Sequence, residues 1–141
     1  MPTRSRRGKS RPVEVQFAVP RRGLPGVASF RRWLAGFPGV TLRIVGAREA
    51  LSLNRKYRGR AKPSNVLTFA TGDIVLCHPL IRREARQQGK SLHAHYAHLA
   101  VHGALHSRGY DHEKKRDAAR MEAREIRILR RLGFRNPYAL E

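Results

Sequence analysis

The stretch HGALHSRGYDH, residues 102–112, constrains the fold of this chain more than any other segment. His102 and His106 are four residues apart, and residues at that spacing lie on one face of an α-helix. Gly109 suits the left-handed conformation that often ends a helix, so the chain is expected to turn there and bring His112 toward the same point. The segment therefore predicts a helix, a turn and three imidazoles that face one position.

Three neutral imidazole ligands with a water in the fourth position are typical of catalytic zinc. We therefore predict that His102, His106 and His112 bind one Zn²⁺ per chain. His98 lies four residues before His102 on the same helical stripe, which leaves a different trio open. We interpret His98 as a residue that supports the ligands or packs beside them.

The other candidate ligands along the chain are weaker. His93 and His95, near the start of the helix, are expected to be solvated. Cys77 lies too far along the chain to be placed by spacing, and it is not expected to bind the metal. As the single cysteine, it also excludes an internal disulfide.

The net charge of the chain points to a polyanionic partner. The chain has 141 residues, of which 30 are Lys or Arg and 10 are Asp or Glu, so its formal charge is +20. That excess is more than solubility requires and favours RNA, DNA or the ribosome as a partner. For the Arg-rich C-terminal helix the alternative stays open that its charges only solvate one helix face.

Length and hydropathy bound the organisation of the chain. Residues 13–141 are expected to form a single domain, and residues 1–12, which carry five basic residues and no acid, are expected to form a disordered basic arm. No apolar run approaches the roughly 20 residues that span a bilayer, and the arm lacks the apolar stretch of a secretory signal. We therefore expect a cytoplasmic protein without a membrane segment.

Hydrophobic periodicity predicts strands and helices along the whole chain. Alternating apolar residues from Val13 to Val19 predict a first strand with one buried face. Further strands are predicted at 40–45, 66–70 and 73–77, and helices at 26–37, 47–57, 79–88, 92–107 and 114–132.

The loop from Arg58 to Asn65 is a second candidate site. It gathers Arg58, Arg60 and Lys62 beside Ser64 and Asn65 at the entrance of a strand. A guanidinium presents a planar fork of donors that matches phosphate oxygens, and Ser and Asn add neutral donors. An ordinary basic turn is the alternative, since Asn, Ser, Pro and Gly are routine turn residues. With a metal site in the same chain, we favour substrate phosphate binding.

These motifs resemble those of the YbeY-type endoribonucleases, which are bacterial rRNA maturation factors with the signature H-G-x-L-H-x-x-G-Y-D-H. The resemblance extends to YRGRAKPSNVLTF at 57–69, to GDIVLC at 72–77 and to the region of Met121 and Glu122. It implies an α+β fold: a small mixed β-sheet of about four strands with helices packed around it, and a metal site on a helix and the following turn.

The same resemblance assigns roles to residues and limits what carries over. It implies that His102, His106 and His112 are zinc ligands and that Arg58 is the positively charged catalytic residue facing the metal. The join from Phe69 to Gly72 is shorter than the family commonly has, and Ser107 stands where Leu is common.

The predicted activity is zinc-dependent cleavage of single-stranded RNA in rRNA maturation and ribosome quality control, with rRNA and the small ribosomal subunit as partners. Zinc lowers the pKa of its bound water and polarises a phosphate oxygen. Asp111 is expected either to orient an imidazole or simply to form the turn.

Two other classes of function remain open. A peptidase-like zinc hydrolase is disfavoured because Gly103 stands where the motif H-E-x-x-H carries its general base. A non-catalytic, zinc-containing ribosome assembly factor that binds rRNA is disfavoured because structural zinc normally has four protein ligands.

Overall fold

The protein is described from a computed structural model over residues 11–58, 64–111 and 113–139, with the backbone alone at Arg58. Within these ranges the structure has four strands and five helices. The strands are β1 (Glu14–Phe17), β2 (Thr41–Val45), β3 (Val66–Thr68) and β4 (Asp73–Cys77). The helices are α1 (Val27–Trp33), α2 (Ala47–Arg58), α3 (His78–Gln87), α4 (Leu92–Ser107) and α5 (Lys115–Arg131). Every predicted strand and helix is present, each within a few residues of its predicted bounds.

The four strands form one mixed sheet in the order β1-β2-β4-β3. β1, β2 and β4 are parallel, and β3 pairs antiparallel with β4 at the edge. Parallel neighbours need crossover connections, which here contain α1 between the first pair and α2 with β3 between the second. The predicted α+β fold with a small mixed sheet is therefore confirmed.

A tight turn from Phe69 to Gly72 joins β3 to β4. The N–H of Phe69 donates to the carbonyl of Asp73, and the N–H of Gly72 donates to the carbonyl of Phe69, both at 2.9 Å. Gly72 has φ +97°, a conformation that glycine adopts without a Cβ clash. Because the turn closes at Phe69, β3 ends at Thr68, short of the predicted end at residue 70.

Helix α4 is the central helix of the larger hydrophobic core. That core lies between one face of the sheet and α1, α4 and α5, and a smaller cluster on the other face lies under α2. At Gly103 the helix approaches β4 so closely that a Cβ there would be 2.8 Å from Cγ2 of Ile74. The glycine therefore lets α4 lie directly on the sheet, beside the edge strand β3.

The structure covers only part of the chain on which the predicted organisation depends. Most of the predicted basic arm, residues 1–10, lies outside the described residues, so the division into an arm and one domain stays a prediction. No helix within the described ranges combines the length and apolarity that crossing a bilayer requires.

Candidate metal centre

A cleft of about 340 Å³ opens between α4 and the edge strand β3. Pockets for small ligands span about 300–1,000 Å³, so this cleft can take a small ligand or one segment of a polymer. Its walls come from β3, from α4, from the turn after α4 and from the C-terminal segment. The lining residues are Asn65, Val66, Thr68, His98, Leu99, His102, His106, Asp111, Glu113 and Tyr138.

His102 lies in the cleft wall, and its ring is held from behind by Glu125 of α5. Nδ1 of His102 makes a short hydrogen bond to Oε1 of Glu125. An ionised carboxylate only accepts, so Nδ1 carries the proton and Nε2 is the ring nitrogen that would bind a metal.

His106, one turn further along α4, is oriented in the same way by a backbone group. Its Nδ1 lies 2.8 Å from the carbonyl oxygen of Tyr110 in the turn that follows the helix. A carbonyl only accepts, so here too Nδ1 is the donor and Nε2 would be the ligand atom. Both rings therefore have the tautomer that a metal site needs.

Glu125 is fully buried and has three hydrogen-bonding partners among the described residues. Besides His102, the hydroxyl of Tyr138 donates a short hydrogen bond to Oε2, and Nε2 of His98 lies 3.3 Å from the same oxygen. Burial would raise the pKa of Glu125, but the hydrogen bonds from His102, His98 and Tyr138 outweigh it and lower the pKa to about 2. Burial and the neighbouring carboxylate raise the pKa of Tyr138, which keeps its hydroxyl protonated as a donor.

His98, His102 and Glu125 also form a group that could itself hold a metal ion. One candidate ligand atom from each lies within 4.8 Å of the other two. A metal among these three would replace the hydrogen bonds that join them. A metal on Nε2 of His102 and His106 would leave those bonds in place.

The expectation that His95 is solvated is wrong. Its side chain is buried, and its Nε2 lies 2.9 Å from Oε1 of Glu84 on α3, which covers this part of α4. Burial lowers the pKa of His95 although Glu84 opposes that shift, so the ring is neutral at pH 7. His93 is exposed as expected. Cys77 is buried at the end of β4, and burial raises the pKa of its thiol.

Ser64 and Asn65 of the predicted substrate loop are hydrogen-bonded to the protein. The amide of Asn65 donates to both carboxylate oxygens of Glu84 at 3.1 Å, and Oγ of Ser64 accepts from Asn54 at 3.0 Å. These bonds tie Asn65 to α3 and Ser64 to α2. Asn65 also lines the cleft, where a substrate would bind. Contact between this loop and a substrate stays a prediction.

Several predicted site residues fall outside the described part of the chain. They are His112, Arg60, Lys62 and the side chain of Arg58. Asp111 is described: it lines the cleft, and its Oδ1 accepts from the N–H of Glu113 at 3.2 Å, a bond typical of a turn.

Sequence reasoning missed two residues that hold the ring of His102 in place. Glu125 contacts the ring directly, and Tyr138 contacts Glu125. Glu125 stands four residues after Met121 and four before Leu129, and both of these face the core. A carboxylate at a core position needs partners, so this break in an apolar stripe is a signal that could have identified it. Tyr138 lies beyond the last helix, where no periodicity places a side chain.

The fold and the cleft define an α+β protein with a candidate metal centre built on histidines of one helix. Residues 27–133 match the family described as Endoribonuclease YbeY. The chain belongs to that family.

Relatives match along almost the whole chain. The "Endoribonuclease YbeY" of Nitrosomonas eutropha is 47% identical over 140 aligned positions, covering 92% of this chain and 99% of its own. That of Stenotrophomonas maltophilia strain K279a is 44% identical over 151 positions, covering 92% and 94%. Because that alignment is longer than the 141 residues present here, it contains positions that this chain lacks.

A solved structure agrees on the fold. The solution structure of TM1509 from Thermotoga maritima has a TM-score of 0.56, covers 91% of this chain and 99% of its own, and is 19% identical. At that identity the match concerns the fold alone.

Proposed function

We propose that the chain is a zinc-dependent endoribonuclease that hydrolyses phosphodiester bonds in single-stranded RNA, with the rRNA of the small ribosomal subunit as substrate in the cytoplasm. The observation that carries the proposal is the orientation of His102 and His106, whose Nδ1 atoms are both hydrogen-bonded to acceptors of the protein. Membership of an endoribonuclease family supports the reaction, and the formal charge of +20 supports a phosphate polymer as substrate.

The proposed ligands are Nε2 of His102, Nε2 of His106 and the imidazole of His112. A zinc ion held there would lower the pKa of its water toward neutrality and polarise a phosphate oxygen. We assign His98 and Glu125 to the support of this site, because direct ligation would break the hydrogen bonds of a fully buried carboxylate.

The chain's own residues contribute orientation and charge. Glu125 fixes the ring of His102 and increases the basicity of its Nε2, because a carboxylate partner favours electron density on the far nitrogen. Arg58 is the proposed partner of the charge that develops on the phosphate. Arg60, Lys62, Ser64 and Asn65 are proposed to hold flanking phosphates.

The geometry at Gly103 counts against a peptidase. A side chain at this position would point at Ile74 of the sheet, with its Cβ at 2.8 Å from Cγ2. The position that carries the general base in H-E-x-x-H therefore does not face the cleft here.

The test is cleavage of a labelled single-stranded rRNA fragment by the full chain, with zinc content measured in parallel. We expect about one zinc per chain, as one site of three histidines requires. Cleavage should stop with a chelator and return with zinc. Arg58→Ala should retain zinc and lose cleavage, whereas Arg55→Ala, at an exposed position of the same helix, should retain both. No cleavage by zinc-loaded wild-type protein would favour the assembly-factor alternative.

A further inference from the structure

A second groove, of about 580 Å³, runs along the turn after α4. It lies between the segment that follows α1, the C-terminal end of α4 and α5. Among the described residues, none that lines this groove also lines the metal cleft. Four arginines and three aromatic residues line it, and we call it the arginine groove. These seven residues are Arg32, Arg108, Arg124, Arg131, Trp33, Phe37 and Tyr110.

The positive charge of the arginine groove is not compensated within the described part of the chain. All four arginines are exposed, no acidic residue lines the groove, and none of the four forms an ion pair there. Arg108 donates at 2.8 Å to the carbonyl of Pro38, a neutral group, with its guanidinium 5.9 Å from the ring of Phe37. Such a surface is complementary to a chain of phosphates.

The spacing along α5 extends this charge into a stripe. Arg124, Ile128 and Arg131 follow one another at intervals of four and three, so they share one helix face. By the same periodicity Arg120 and Arg127 fall beside them. The stripe gives a run of guanidinium groups along the helix, which suits the repeated charges of a nucleic-acid backbone.

Tyr110 connects the arginine groove with the metal cleft. Its carbonyl orients His106, Tyr110 itself lines the groove, and the next residue, Asp111, lines the cleft. A single extended polymer bound in the cleft could therefore continue over this turn into the groove. Tyr110 packs against the larger hydrophobic core but stays partly exposed beside the groove, and a base could stack on it there.

We propose that the arginine groove binds the substrate RNA strand outside the metal cleft, through phosphates on Arg32, Arg108, Arg124 and Arg131 and a base on Tyr110. The inference rests on the proposed nuclease function, since it assigns the groove to that enzyme's own substrate. RNA fits the groove better than an acidic protein does, because an aromatic residue for stacking and regularly spaced positive charges occur together.

The test compares two double variants. The groove variant carries Arg124→Gln and Arg131→Gln, and the control variant carries Arg82→Gln and Arg86→Gln. The control removes the same charge from exposed positions of α3. Binding of a 12-nucleotide single-stranded RNA is measured across salt concentrations with chelator present, so that cleavage does not interfere. With about 0.7 counterions released per phosphate, the groove variant should lose about 1.4 from the slope of log affinity against log salt. When the salt concentration falls from 1 M to 0.1 M, the affinity of the wild type should therefore increase about 25-fold more than that of the groove variant.

Cleavage gives the second readout. The groove variant should raise KM for the 12-nucleotide RNA about tenfold or more, as expected from that affinity loss, and leave kcat on a trinucleotide unchanged. Equal binding and salt slope in the groove variant and the wild type would overturn the proposal. The same conclusion would follow if both double variants weakened binding equally, or if poly-glutamate bound through the groove while RNA did not.

The two proposals fail separately. If the wild type binds RNA through the arginine groove but cuts none, the nuclease proposal is wrong and RNA binding by the groove is still supported. If the wild type cuts RNA and the groove variant cuts and binds the 12-nucleotide RNA equally well, the groove proposal alone is wrong.

Discussion

Glu125 of α5 holds His102 of α4 through a short hydrogen bond between its buried carboxylate and Nδ1 of the ring. The bond crosses from one helix to the next, so packing of the two helices sets the orientation of the imidazole. In the ligand set proposed above, a metal centre on α4 therefore depends on a residue of α5 that orients one of its ligands.

Glu125→Gln should weaken zinc binding about 10- to 100-fold, the usual effect of changing a residue that supports a metal ligand. The amide can still accept a hydrogen bond but removes the negative charge that makes the ring a stronger base. Zinc affinity is measured by competition with a chelator. Glu122→Gln, which removes a charge from the same helix, should leave the affinity within about twofold. Equal losses of zinc affinity in both variants would show that the lost negative charge weakens binding, and not the changed partner of His102.

His98→Ala separates the two possible metal positions. If the metal binds Nε2 of His102 and His106, the variant keeps about one zinc per chain. If instead His98, His102 and Glu125 are the ligands, zinc is lost. His102→Ala loses zinc in both cases and serves as the reference, with metal content determined by elemental analysis. Loss of zinc from His98→Ala would contradict the ligand set proposed here.

Gly103→Ala should lower the free energy of unfolding by about 1 kcal/mol, because overpacking against Ile74 outweighs the gain in helix propensity. Urea denaturation of the chain measures the change. In the background of Ile74→Ala, which removes the facing methyl group, the same substitution should be neutral or stabilising. An unchanged effect in the double variant would show that Ile74 is not what the added methyl meets.

His95 should make stability depend on pH. Burial lowers its folded pKa below the ordinary value of 6.5, so above that value both folded and unfolded states are neutral at this residue. As the pH falls below 6.5, only the unfolded state gains the proton, and stability is lost with a slope of up to about 1.4 kcal/mol per pH unit. His95→Gln should flatten the pH dependence between pH 6.5 and 5, measured by urea denaturation with chelator present. The same slope in wild type and His95→Gln would contradict a lowered pKa of His95 in the folded protein.

The order of elements could be read from the sequence because each depends on local signals. Alternation from Val13 to Val19 and the glycine at position 109 act over a few residues, and the structure has a strand and a helix end there. The partners across the core could not be read in this way. His95 looked like a solvated residue near a helix start because its partner, Glu84, is brought to it only by the packing of α3.

The same distinction holds at the candidate site. The spacing of His102 and His106 indicated two imidazoles on one helix face, and both line the cleft. The pairing of His102 with Glu125 depends on the register between two helices, and that of Glu125 with Tyr138 on the path of the chain after α5. The apolar stripe of α5 marks Glu125 as a core position, but the periodicity does not say which side chains are its partners.

The decisive measurement for a metal-dependent nuclease compares cleavage of a single-stranded rRNA fragment by wild type and by His106→Ala, with zinc content determined in the same samples. The control is His93→Ala, which removes an exposed imidazole from the same helix. We expect wild type and His93→Ala to carry about one zinc per chain and cut the fragment, and His106→Ala to lose both. Cleavage by a zinc-free His106→Ala protein at the wild-type rate would contradict a metal-dependent nuclease centred on these histidines.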